Sequence, residues 1–185
     1  MLFNSMDTNQ SSPGTTRNYR FWILLFINAA FILFFTQWLR PLGAGDIVQL
    51  EIAREVQVAE TLLFDWHQVP GKMGRAEDSV YIDFIFILLY IPLLALASRY
   101  FSRLTGHEIL RKAGIFFSYL LAGVLITEVI ENLALLRIIR GDISAANVLV
   151  AYNMAVAKFS ILIMVGIFLV VCLLILALKK ILPQV

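Results

Sequence analysis

Five side chains that hydrocarbon penalises stand inside otherwise apolar stretches of this sequence: Asp83, Glu128, Glu131, Asn132 and Lys158. A charge at the centre of a membrane helix costs about 2.5–3.5 kcal/mol on insertion scales, so such groups turn away from lipid and toward one another. Glu128, Glu131 and Asn132 are spaced i, i+3, i+4 and share one helical face; Asn147, Ala151 and Lys158 share another, and Asp83 aligns with Tyr90. Three carboxylates against one lysine leave an excess of negative charge. Protons, Arg137, Arg40 or a bound cation would relieve it.

Three chemistries fit such a cluster. It can bind a lipid headgroup or a small polar ligand in a polar pocket. It can form a buried ion-pair network, Lys158 with Asp83 or a glutamate, that fixes helix register in a structural or accessory subunit. In an enzyme acting on a lipid-like substrate, one carboxyl would serve as general acid or base while Lys158 stabilises anionic charge. Glu128-x-x-Glu131 with Asp83 has the oxygen donors for a hard cation, but the Glu-x-x-His pairs of di-iron bundles are missing. Neither a metal nor a cofactor is expected. His67 and His107 lie in loops, and only His67 could approach the cluster, if its loop closes. No GxSxG, HExxH, P-loop or GxGxxG occurs, and nothing points to nucleic acid.

The elements that must position these residues are transmembrane helices. Of 185 residues, 60% are hydrophobic and 15% charged, and the mean hydropathy is +0.82. The apolar residues come in blocks, whereas an amphipathic soluble helix interrupts them every turn. Residues 21–39 and 159–178 carry no charge at all. About 20 residues of helix span about 30 Å, the thickness of a hydrocarbon core. Blocks over 80–98 and 113–136 read the same way apart from Asp83, Glu128 and Glu131. The expected fold is all-α, a four-helix transmembrane bundle with spans at about 21–39, 80–98, 113–136 and 155–178. The first block is too long for a signal h-region and is expected to remain as a helix. Residues 1–18 form a polar tail expected to be flexible, and 19–185 a single membrane domain.

In the first loop Val48, Ile52, Val56, Ala59, Leu63 and Trp66 recur at steps of three and four. That spacing predicts an amphipathic interfacial helix over 46–66, with Asp46 as its N-cap and Pro70-Gly71 beyond its end. Trp66 and His67 are then candidate lid residues over the pocket. Close packing is expected along Gly114, Ser118 and Ala122, and at Ala151, Ala155 and Gly166.

Depth follows from the rise per residue. Asp83 lies about 24 Å above Arg99, Glu128 and Glu131 about 24 and 28 Å above Lys112, and Lys158 about 31 Å above Lys179. The polar residues therefore share a level, near the end opposite a basic face made by Arg99, Arg103, Arg111, Lys112, Lys179 and Lys180. Thr36 and Gln37 reach the same level from the first helix. With the basic face cytoplasmic, both termini lie inside and the pocket faces outward. The remaining depth is almost wholly apolar, which disfavours a conducting pore.

Tyr81-Ile82-Asp83-Phe84-Ile85-Phe86 with Tyr90, Glu131-Asn132-Leu133-Ala134-Leu135-Leu136, and Lys158-Phe159 together resemble a family of small bacterial four-helix membrane proteins of unassigned activity. The likeness touches all but the first span. It implies a bacterial inner-membrane protein and carries no substrate or reaction. The partners expected are membrane lipid and a further protein or second copy in the membrane.

Overall fold

The computed structural model describes residues 15–181, all of them in helices or short connections. Six helices follow one another: α1 (Thr15–Trp38), α2 (Ala44–Glu51), α3 (Val56–His67), α4 (Lys72–Leu104), α5 (Glu108–Ile139) and α6 (Ala145–Ile181). α1, α4, α5 and α6 are each long and apolar enough to cross a membrane, so the chain is a multi-pass membrane protein built as a helical bundle. In lipid a helix satisfies every internal backbone group itself, which is why continuous apolar blocks fold this way. Most of the expected tail, residues 1–14, lies outside the described residues; α1 already includes 15–18.

α4, α5 and α6 pack mutually as a three-helix core, and α1 lies against the outer side of α4. The α4 and α5 backbones approach closely at Gly114. A Cβ there would sit 2.5 Å from the Ser98 carbonyl oxygen and clash with the Ser102 hydroxyl. Ser118, one turn on, accepts a 2.7 Å hydrogen bond from Arg99 Nε. The row of small residues ends there, since Ala122 is exposed. On α6, Ala151 and Ala155 are buried, whereas Gly166 faces outward. α5 ends in a Schellman motif: Gly141 has φ 100°, its N–H donates to Ile138 and that of Asp142 to the Arg137 carbonyl.

The helix expected over 46–66 is present as two pieces, α2 and α3, separated at Ile52–Glu55. A straight helix of that length would run about 30 Å. The break instead lets α2 lie on α5 and α6 while α3 lies on α4 and α6, so both cover one end of the bundle. It also resets the helical phase. Ala59, Leu63 and Trp66 are buried as the stripe requires, but in the first half Leu50 and Ala53 are buried while Val48 and Ile52 are exposed. The helix starts earlier than expected, with Gly43 as N-cap. Asp46 sits in its first turn, where the carboxylate accepts the Gly43 N–H at 2.7 Å and pairs with Lys72 at 3.0 Å. An acid in the first turn answers the unpaired N–H groups and the positive end of the helix dipole.

α1 is held to α4 by four contacts along its length. Phe21 stacks on Tyr100 with ring centroids 5.7 Å apart. Midway, the buried Asn28 donates from Nδ2 to the Leu89 carbonyl at 3.1 Å. Phe31 stacks on Phe86 at 5.3 Å, and near the loop end the Arg75 guanidinium lies 4.1 Å from the centre of the Trp38 ring. Between those last two contacts the helices part.

Candidate functional site

The parting of α1 and α4 leaves a cavity of about 940 Å³, roofed by the 40–43 connection and backed by α2. Phe31 and Phe86 form its floor, and Ile32, Phe35, Leu39, Val80 and Ile82 line its sides. Glu51, Asp83 and Asn132 supply polarity from α2, α4 and α5, and Arg40 stands at the loop end. An apolar chamber with a few convergent polar groups is the usual form of a small-molecule site.

The polar residues picked out by depth do converge. Asn132 Nδ2 donates to Asp83 Oδ2 at 2.9 Å, joining α5 to α4. Lys158 Nζ donates to Glu131 Oε1 at 2.8 Å, joining α6 to α5. The Tyr90 hydroxyl donates to Glu128 Oε1, a second link between α4 and α5. Glu131 is fully buried, and its second oxygen has no partner. Since α5 places Glu128, Glu131 and Asn132 on one face, one helix meets both neighbours with adjacent side chains.

Glu51 completes the cluster, and sequence reasoning missed it. It descends from the last turn of α2 to within 3.4 Å of Lys158 Nζ through Oε2 and is 8% exposed. Burial pushes its carboxyl above the ordinary 4.5; nearby Lys158 pulls back and Asp83 adds to the rise. Two carboxyl groups, Glu131 and Glu51, now flank the Lys158 ammonium. The only signal in the sequence is that Glu51 lies four residues after Ile47 and next to Leu50, on the flank that α2 buries.

Other expected participants stand apart. Asn147 donates to the carbonyl and carboxylate oxygens of Asp142 at 3.0 and 2.8 Å, closing the turn before α6. Gln37 and Arg137 are exposed, while Thr36 lines the cavity but spends its hydroxyl on the Ile32 carbonyl at 2.7 Å. Trp66 is 2% exposed and belongs to the core beneath α3, with Lys72 Nζ 5.7 Å from its ring centre. His67 is exposed, its Nδ1 2.8 Å from the Leu63 carbonyl oxygen. Neither lines the cavity; the covering contributed by the loop comes from Ile47 and Glu51 of α2. Among the described residues no three His, Cys, Asp or Glu side chains are grouped to hold a metal ion.

No protein-family model matches the chain, and neither the curated proteins nor the solved structures contain a similar one. The site therefore speaks through its geometry alone. Lys158 and Glu131 lie behind the cavity wall, whereas Glu51, Asp83 and Asn132 face into it. The first pair is suited to holding the helices in register, and the second group to meeting a ligand.

Proposed function

We propose that this membrane protein binds an amphiphile, a lipid headgroup or similar small polar ligand, in the cavity between α1, α2 and α4. The observation that carries the reading is the division of one chamber into an aromatic and aliphatic floor and a polar wall of Glu51, Asp83 and Asn132. Both kinds of surface are needed by a molecule that is part chain and part headgroup. The cavity also sits beside a peripheral helix, α1, that packs chiefly on α4, so access from the bilayer needs displacement of few contacts.

A second reading has its own support. The Lys158 and Glu131 pair is buried and apart from the cavity, which is what a register-fixing network in a structural or accessory subunit requires. The two roles meet at Glu51, which pairs with Lys158 at 3.4 Å and also lines the cavity. The basic end of the bundle, where Lys179 Nζ donates to the Thr105 carbonyl at 2.5 Å, supports a topology with both termini cytoplasmic and the cavity on the outer side. Residence in a bacterial inner membrane rests on the sequence resemblance.

The test is to fill the cavity. Ile82→Trp places an indole in the chamber from a partly buried position. The expected result is a folded protein that retains less co-purified lipid in native mass spectrometry. Unchanged lipid retention by the folded variant would contradict the proposal.

A further inference from the structure

The polar wall of the cavity is unbalanced in hydrogen-bonding character. Asn132, which lines the chamber, is 3% exposed and its amide nitrogen donates to Asp83; its carbonyl oxygen receives no hydrogen bond among the described residues. Asp83 meets no cation among the described residues, and Glu51 meets only Lys158, at 3.4 Å through Oε2. The hydroxyls nearby do not serve them: Ser79 donates to the Ala76 carbonyl at 2.7 Å, and Thr36 to its own helix. Three acceptors, two of them carboxylates, therefore line the cavity with a single ammonium, that of Lys158, beside Glu51. Negative charge in excess of its counterions is costly in such surroundings.

The missing partner must bring several N–H donors and positive charge. A primary ammonium carries three donors in a compact head. A quaternary ammonium has no N–H to donate. The opposite charge has a place too. Arg40 stands at the loop end of the same cavity, makes no hydrogen bond or ion pair among the described residues, and its fork matches a phosphate. The floor formed by Phe31, Phe86 and Ile32 then takes an acyl chain.

We infer that the cavity selects a zwitterionic phospholipid with a primary amine, its ammonium on Glu51, Asp83 and Asn132 and its phosphate at Arg40. This rests on the amphiphile-binding reading and names the headgroup class. A lipid lacking the amine strands the carboxylates, and one with a methylated amine cannot donate to them. Free phosphoethanolamine shares the headgroup but leaves the apolar floor empty, so the membrane lipid is the ligand.

The experiment uses the full chain, delipidated in detergent, with thermal unfolding and native mass spectrometry as paired readouts. Four probes are compared: phosphatidylethanolamine, phosphatidylcholine, phosphatidylglycerol and free phosphoethanolamine. Phosphatidylethanolamine is expected to bind at least about tenfold tighter than the other two lipids and to raise the unfolding temperature, with free phosphoethanolamine having little effect. Asp83→Asn keeps a partner for Asn132 and should abolish the preference; Glu51→Gln, outside the spans, repeats the test should the first variant fold poorly. Arg40→Gln should weaken the phospholipid while leaving a long-chain primary amine bound. Equal binding of the ethanolamine and choline lipids, still blocked by Ile82→Trp, would overturn the headgroup inference and leave the cavity reading standing. Binding of no lipid at all would overturn both, and binding of free phosphoethanolamine as tight as the lipid would overturn the membrane source.

Discussion

Removing Lys158 should be the most damaging single change in the bundle. Its ammonium holds Glu131 at 2.8 Å and Glu51 at 3.4 Å, and both carboxylates are nearly or fully buried. Breaking a buried pair by deleting one partner costs about 3–5 kcal/mol, because the other charge is left uncompensated. Lys158→Met strands two carboxylates, so its cost belongs at the upper end, a roughly 4,000-fold fall in the folded-to-unfolded ratio. Glu131→Leu leaves Lys158 with Glu51 and should cost less. The double variant Lys158→Met/Glu131→Leu replaces the pair with apolar side chains of similar length. It should cost less than Lys158→Met alone, because one stranded carboxylate, Glu51, remains in place of two. The assay is reversible unfolding in mixed micelles with increasing denaturing detergent, followed by tryptophan fluorescence. A double variant whose cost equals the sum of the single costs would refute the reasoning, because the residues would then be acting independently.

Gly114→Ala should destabilise by about 1–3 kcal/mol in the same unfolding assay, since the added Cβ meets the Ser98 carbonyl at 2.5 Å in a tight helix pair; a neutral result means the helices are not in that contact. Asn28→Leu removes the 3.1 Å bond from α1 to the Leu89 carbonyl and should cost about 0.6–1.7 kcal/mol, with slower disulfide trapping between cysteines placed at positions 31 and 86 as a second readout. Glu51 titrates above its ordinary 4.5 in the folded chain, so the folded state binds the proton more tightly than the unfolded state does. The wild type should therefore gain stability over Glu51→Gln as pH falls from the raised folded value toward 4.5, and hold constant below it; a gain on raising the pH would show that attraction to Lys158 outweighs burial.

The spans and the common level of their polar residues were legible because lipid enforces simple rules. Apolar blocks of the right length become helices, and a fixed rise converts sequence number into depth. Asp83, Asn132, Glu131 and Lys158 could therefore be brought to one height, though not to particular partners. Partners depend on helix rotation, which Ala122 and Gly166 show to be hard to read, both being small residues that nonetheless face outward. Glu51 was hidden for a different reason. It sits on an extramembrane helix, where an acid normally costs nothing, and the break after α2 shifted the buried face from Val48 and Ile52 to Leu50 and Ala53. The cavity itself leaves no mark on the sequence, because a void is set by how two helices part and not by which residues line them.

The central claim is that a ligand-sized chamber ends at Glu51, Asp83 and Asn132. An experimental density map of the full chain in lipid nanodiscs tests it most directly. Elongated density is expected between α1 and α4, running from the Phe31 and Phe86 floor to those three side chains. A map in which α1 closes onto α4 and fills that space, or in which Glu51 points into solvent, would contradict it.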